Sequence, residues 1–239
     1  MPANQAKPIA LVDHELKTNG YSVLSTAFSA AKEFCLIKQR FNTPTTTDPN
    51  DPYEPKIFHE QQLINGQNQD LLQYNNFCLN LIKQLGYKQY HLDSIFQTTD
   101  SPRTKHIAQQ PHFDRIATLK FMLYANDLTE ATGAFWLSPG SHIWTKESFG
   151  VAAKRPLHGS KGFLEASRNI PMSILDKLKP VEGKAGTIII FNTDCIHHQG
   201  LVHSGQANII RAHYRKLNPR QSPIKRLIQK FASRNQKQV

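Results

Sequence analysis

The chain has 239 residues, of which 39% are apolar and 20% charged, and its formal net charge is +11. The length suits one sizeable domain or two small ones, and no window approaches the roughly 18 consecutive apolar residues that a spanning helix needs. The charge does not belong to a basic fold: Arg211 to Val239 holds nine Lys/Arg and no Asp or Glu, which leaves 20 basic against 18 acidic residues elsewhere. The opening stretch MPANQAKPIALVDHELK has no charged segment followed by an apolar one, so a cytoplasmic location is expected. Cys35, Cys78 and Cys195 are odd in number and far apart, and read as buried thiols rather than a disulfide framework or a zinc site.

In chain order, residues 8–28 read as a short helix, then Gly20 and a strand over "YSVLS". Ser29 is suited to cap a helix whose Ala31, Phe34, Cys35 and Phe41 keep helical spacing. The Pro-, Thr- and Asp-rich stretch "NTPTTTDPNDPYEP" is a loop of the length used for lids. A second helix is predicted over 68–85, with Leu71, Tyr74, Cys78, Leu81 and Leu85 on one stripe and Gly86 as its stop. From residue 88 the texture changes to short β-branched and aromatic runs separated by turn signals: "YKQYHLDSIFQTT", "RIATLKFMLYAND", "GAFWLSP", "GTIIIFNTDCIHH" and "NIIRAHYRKL".

Helices followed by strands predict a mainly β, α+β protein, a sandwich or jelly roll with flanking N-terminal helices and a C-terminal helix. With no repeat and no Gly/Ser linker, residues 1–239 read as one domain: a mostly helical flank and loop to 87, a β core over 88–218 and a basic helical extension over 219–239. In that extension Pro223 opens a helix with Ile224, Leu227, Ile228 and Phe231 on one stripe and Lys225, Arg226, Lys230 and Arg234 mostly off it. It is expected to pack on the body; the alternative is contact with a membrane surface, an acidic partner or an anionic substrate.

The chemistry is expected around His112–Phe113–Asp114. Residues i and i+2 of a strand share a face, so an imidazole and a carboxylate stand side by side. The run "GTIIIFNTDCIHHQG" offers His197 and His198 as a third donor. Two His and one carboxylate with open positions make the facial triad of non-haem Fe(II) oxygenases. An H-x-D pair alone is a weak signal in a chain with 11 His.

The motifs around it add specificity. The stretch "HFDRIATLKFMLYANDLTEATGAFWLSPGSH" resembles the phytanoyl-CoA dioxygenase-like family of Fe(II)/2-oxoglutarate-dependent oxygenases. The resemblance rests on His112–Phe113–Asp114, Asn126–Asp127–Leu128, Gly133 and Pro139–Gly140–Ser141–His142, followed by Gly186, Phe191, His197 and Gly200. "NGYSVLSTAFSAAKEF" is similar to the family's opening strand and helix, and the likeness extends to about Leu217. It implies a double-stranded β-helix (a cupin-like jelly roll) with Fe(II) held by His112, Asp114 and His197, and with 2-oxoglutarate and dioxygen as co-substrates. It selects His197 over His198, with His203 as a rival, and gives His142 a turn or supporting role. The implied reaction is hydroxylation of a small molecule with release of succinate and carbon dioxide; a carboxylate at Asp114, where family halogenases have a small residue, argues against halogenation.

One departure concerns the cation for the far carboxylate of 2-oxoglutarate. The family's Arg lies about eleven residues after the distal His, where this chain has Asn208. Two candidates remain: Arg211, which would face away if Asn208 holds the family's position, and Lys120, six residues past Asp114 and of the same strand parity. The 43–57 loop and the 143–180 segment, with Trp144, Lys154, Arg155, His158 and Lys161, are expected to border the mouth and to suit an anionic small-molecule substrate. The rival readings are a non-catalytic β-barrel binding protein and a nucleic-acid or membrane binder driven by the tail. The tail lacks interleaved stacking aromatics, so no specific nucleic-acid partner is expected.

Overall fold

Unbroken apolar runs such as "TIIIF" and "FMLY" belong in strands covered on both faces. In the computed structural model, which describes residues 7–25, 56–58, 69–105, 107–114, 116, 118–150 and 168–216, that is where they lie. A six-stranded antiparallel sheet is built from β1 (Tyr21–Leu24), β2 (Lys56–Phe58), β3 (Tyr90–Asp100), β4 (Leu119–Tyr124), β7 (Ile188–Asn192) and β9 (Ala207–Lys216). Its order is β1-β7-β4-β9-β3-β2. A smaller antiparallel sheet has the order β6-β5-β8, from β5 (Phe135–Leu137), β6 (Lys179–Val181) and β8 (His197–His198).

The two-residue side-chain period divides the large sheet's residues between two cores. Phe121, Leu123, Ile188, Ile190, Ile210, Ala212 and Tyr214 face outward, under α1 (Ile9–Thr18) and α2 (Gln69–Gln84). Those helices contribute Val12, Leu16, Leu71, Tyr74, Cys78 and Leu81. Met122, Tyr124, Ile189, Phe191 and Ile209 face inward and pack on Phe135, Leu137 and Val181 of the small sheet. The result is the expected mainly β sandwich with N-terminal flanking helices. Gly86 ends α2 in the left-handed region (φ 74°), with Gly86 N–H donating to Lys83 O and Tyr87 N–H to Ile82 O. That is the bond pair of a Schellman cap.

Two elements differ from the sequence reading. The segment 112–124 is not one strand: His112 forms an isolated bridge to His197 beside the small sheet, whereas β4 begins at Leu119 in the large one. "GTIIIFNTDCIHH" is also divided. Asn192 Oδ1 accepts from the Asp194 N–H and Asn192 O from the Cys195 N–H, and this Asx turn carries the chain from β7 in one sheet to β8 in the other. After Gly140 (φ 75°) the chain enters α3 (Ser141–Phe149), and α4 (Met172–Leu175) follows further on. The helix expected from Ser29, most of the 43–57 loop, the basic residues Lys154, Arg155, His158 and Lys161, and the C-terminal helix lie outside the described residues.

Candidate metal centre

His112 and His197, 85 positions apart, meet because their backbones pair reciprocally. His112 N–H donates to His197 O at 2.9 Å and His197 N–H to His112 O at 2.8 Å. Directly opposed residues of an antiparallel pair project to one side, and the two rings stand 4.4 Å apart. Two residues on, Asp114 N–H donates to Thr193 O at 2.9 Å and anchors the other end of the segment. The intervening Phe113 and Ile196 turn to the opposite side, into a core with Ile170 and Ile174.

The three side chains form a group that could hold a metal ion, with one donor atom from each lying within 4.8 Å of the others. Asp114 Oδ1 is 3.6 Å from His197 Nε2 and 4.0 Å from His112 Nε2. Each histidine uses its other nitrogen on a backbone carbonyl, His112 Nδ1 on Gln110 O and His197 Nδ1 on Cys195 O, both at 2.7 Å. Since a carbonyl only accepts, Nδ1 carries the proton and Nε2 presents a lone pair, the tautomer a metal requires. Burial, then the adjacent His197, push the His112 imidazole down to about 3. Burial would raise the Asp114 carboxyl, but Lys120 and then the two histidines outweigh it and hold it well below the usual carboxylate range. His112 is therefore neutral and Asp114 ionised at neutral pH, and two imidazoles beside one carboxylate make a donor set that fits a divalent metal.

A cavity of about 160 Å³ opens beside the group, bordered by His112, Lys120, His197, Gln199 and Arg211. Phe96, Met122, Phe135 and Phe191 supply apolar wall, and the rings of Phe135 and Phe191 lie 5.5 and 5.0 Å from that of His197. Both candidate cations border this cavity. Arg211 shares the inward parity of Ala207 and Ile209 on β9, so it does not face away, and it is buried. Its Nη1 donates to Thr98 Oγ1, its Nη2 to Gln199 Oε1 at 2.5 Å, and its guanidinium lies 5.9 Å over the Phe96 ring. Asn208 takes the opposite parity; its Oδ1 accepts from Thr99 Oγ1 and its N–H donates to Asn126 Oδ1. Lys120 reaches the site for a reason other than shared strand parity with Asp114. It projects from the facing sheet, on the same side of β4 as Met122, and its Nζ lies 2.7 Å from Asp114 Oδ2.

The remaining motif residues serve the frame. His198 stacks on Trp136 at 5.3 Å, outside the group, and His203 is exposed. Ser141 Oγ donates to Ser138 O and accepts from the Ile196 N–H, fixing the strand that carries His197. His142 is buried, bonded through Nε2 to Lys17 O, and packed so close to Gly20 that a Cβ there would lie 2.6 Å from Nδ1. Asp127 accepts from Ala185 N–H and pairs with Lys184. Gly200 permits contact with the neighbouring strand, since a Cβ there would sit 2.2 Å from Ala134 O. Sequence reasoning missed Gln199, whose Nε2 donates to Gly133 O and whose Oε1 receives Arg211. Its place inside His197–His198–Gln199–Gly200 was the available signal. Thr98 and Asp100, inward residues of β3, and Gln109 carried no signal of their own.

A family model described as phytanoyl-CoA dioxygenase (PhyH) matches residues 16–209. No curated protein sequence matches the chain significantly. Among solved structures, it is similar to the epimerase SnoN in complex with Fe3+, alpha ketoglutarate and nogalamycin RO, at 14% identity and a TM-score of 0.63 over 87% of this chain and 83% of that one. It is similar also to HygX from Streptomyces hygroscopicus with nickel and 2-oxoglutarate bound, at 13% identity and a TM-score of 0.55 over 86% of each chain. A third is the alpha ketoglutarate-dependent carbocyclase SnoK from nogalamycin biosynthesis, at 12% identity and a TM-score of 0.54 over 90% of this chain and 89% of that one. At such identities the likeness is one of fold, the jelly roll described above. Together with the match over residues 16–209, it leads to one conclusion: the chain belongs to the phytanoyl-CoA dioxygenase family.

Proposed function

We propose that the protein is a 2-oxoglutarate-dependent non-haem iron dioxygenase that hydroxylates a small molecule. In this reading Fe(II) is held by His112, Asp114 and His197, and Arg211 anchors 2-oxoglutarate. The observation that carries it is the convergence of two imidazoles and a carboxylate at the wall of a cavity that is also bordered by a buried guanidinium. The bound metal and co-substrate supply oxidation by dioxygen, coupled to conversion of 2-oxoglutarate to succinate and carbon dioxide.

The chain's own residues bind, orient and exclude water. The carbonyls of Gln110 and Cys195 hold the two rings in the metal-ready tautomer. Thr98 and Gln199 engage two of the five donors of Arg211 and aim the guanidinium. The remaining donors suit a carboxylate, which pairs with Arg in a planar fork. Phe96, Met122, Phe135 and Phe191 make the cavity apolar around these groups, which strengthens the charged contacts inside it. Hydroxylation is the finer part of the proposal, because an epimerase and a carbocyclase share the fold. An anionic substrate remains the expectation from the basic 154–161 stretch.

Anaerobic addition of Fe(II) and 2-oxoglutarate tests the reading. A weak visible charge-transfer band is expected, and it disappears in His112→Ala. An unmutated protein that gives no band would falsify the assignment.

A further inference from the structure

The two cations at the cavity are held differently. The described partners of Arg211, Thr98 and Gln199, are not metal-ligand candidates. Lys120 instead lies on one: its Nζ is 2.7 Å from Asp114 Oδ2, with both side chains largely enclosed. Asp114 thus divides its oxygens, Oδ1 toward the two histidine Nε2 atoms and Oδ2 toward the ammonium.

We propose that Lys120 is a positioning residue for the metal: it confines Asp114 to coordination through a single oxygen, and it leaves the far carboxylate of 2-oxoglutarate to Arg211. This rests on the iron reading above. A carboxylate beside a divalent ion binds through one oxygen or both. Three protein donors leave three positions, two for a chelating oxo acid and one for dioxygen. A second Asp114 oxygen would occupy one of them and block part of the reaction. A charge-assisted bond at 2.7 Å is strong enough to keep Oδ2 away, and hydrogen-bond partners of this kind orient a ligating carboxylate.

The fold places the lysine for this task. Lys120 sits inside β4, opposite Phe191 on β7 and His213 on β9. Phe191 itself packs against His197, so the sheet that fixes the lysine also fixes the distance to the ligand group. The ammonium is balanced by the carboxylate it holds, whereas the guanidinium retains donors for a carboxylate that arrives with the co-substrate.

The probe is Mn(II) alone, which accepts the same nitrogen and oxygen donors and reports its bound waters through water-proton relaxation. With no oxo acid present, Lys120→Met is expected to lower the relaxivity of the bound ion by about one third, as one of three open positions is lost. Lys120→Arg, which keeps a cationic donor for Oδ2, retains the unmutated value, and so does Arg211→Met. Lys120→Ala replaces the methionine variant should circular dichroism show that the latter is unfolded. Equal relaxivity in the unmutated protein and in the folded Lys120→Met or Lys120→Ala variant overturns the proposal; loss of 2-oxoglutarate affinity alone would then make Lys120 an anchor. Failure of the unmutated protein to bind Mn(II) overturns the iron reading, and this inference with it.

Discussion

The two walls of the site are built by opposite means. The wall that carries Lys120 and Arg211 is a six-stranded sheet whose ten-residue β9 pairs in unbroken register with β4 from Ile209 to Tyr214 and with β3 on its other side, where the register shifts once, between Leu92 and Ser94. The wall that carries His112, Asp114 and His197 consists of a two-residue strand and an isolated bridge. On the first wall a side chain's direction follows from strand parity and buried apolar neighbours. On the second it depends on a few backbone bonds, namely the reciprocal His112–His197 pair, Asp114 to Thr193, and the Asn192 turn. A cation can be placed by a long ladder, but three donor side chains that must converge on one point need segments free to approach at angles a ladder does not allow. The short segments are therefore braced from behind, by Phe113 and Ile196 in their own apolar cluster and by Ser141 on the Ile196 N–H.

That contrast can be broken experimentally at both walls. The largest effect is expected at Arg211. Arg211→Met removes the proposed anchor from the rigid wall, and 2-oxoglutarate affinity should fall by about 30-fold or more, the loss typical of a truncated buried charge pair. Metal binding measured without co-substrate should not change. Loss of metal binding as well would mean that the walls are not independent.

Gly200→Ala tests the other wall. Its Cβ would meet Ala134 O at 2.2 Å, a backbone atom that cannot yield cheaply. Overpacking of this kind costs about 2–3 kcal/mol, seen as a drop of about 4–12 °C in Tm for a chain of this size. Because Gly200 follows Gln199 directly, metal and co-substrate binding should both weaken in this variant.

A pH series separates the groups between the walls. Burial, then Lys120, push His213 down to about 2, and burial, then His197, push His112 down to about 3. Both sit near 6.5 in the unfolded chain. Between the folded and unfolded values only the unfolded chain takes up these protons. Stability is therefore unaffected by them above 6.5 and declines as pH falls toward 3, by up to about 1.4 kcal/mol per pH unit for each group. Chemical denaturation of metal-free His213→Phe should show a shallower acid loss than the unmutated protein; an identical slope would remove His213 from the explanation.

The smallest effect is expected at Asp127, which belongs to a recognition motif but to neither wall. Its pair with Lys184 is exposed and its bond to the Ala185 N–H closes a turn. Asp127→Ala should cost about 1 kcal/mol and leave the turnover of 2-oxoglutarate at its unmutated rate. A large loss of turnover without loss of stability would give this residue a role at the site.

Much of the fold was legible because period and composition report burial directly. The buried stripe Leu71, Tyr74, Cys78 and Leu81 and the stop at Gly86 describe α2 as it stands, and the apolar runs locate β4, β7 and β9. The boundaries within those patterns were less legible. "GTIIIFNTDCIHH" reads as one run because residues in both sheets are equally buried; only the Asn192 side-chain bond marks where the chain changes sheets. Gln199 and Thr98 escaped notice because their importance lies in whom they touch, and their partner Arg211 is 12 positions from one and 113 from the other.

The sequence by itself determined the local terms: which segments pair or coil, which residues have ligand chemistry, and, by the order of motifs, the family. It also supplied two candidate cations without a means of choosing between them. Spacing pointed to Asn208 where an arginine was expected, and assigned Lys120 its direction by a parity that does not extend across the break between His112 and β4. Only the tertiary structure decided those matters. The pairing of β9 with β4 and β3 sets its register, which turns Arg211 inward and Asn208 outward. The facing of the two sheets brings Lys120 onto Asp114. Strand parity is a local rule, and a site between two sheets depends on how separate ladders are registered against each other, which pairing and packing across both sheets establish.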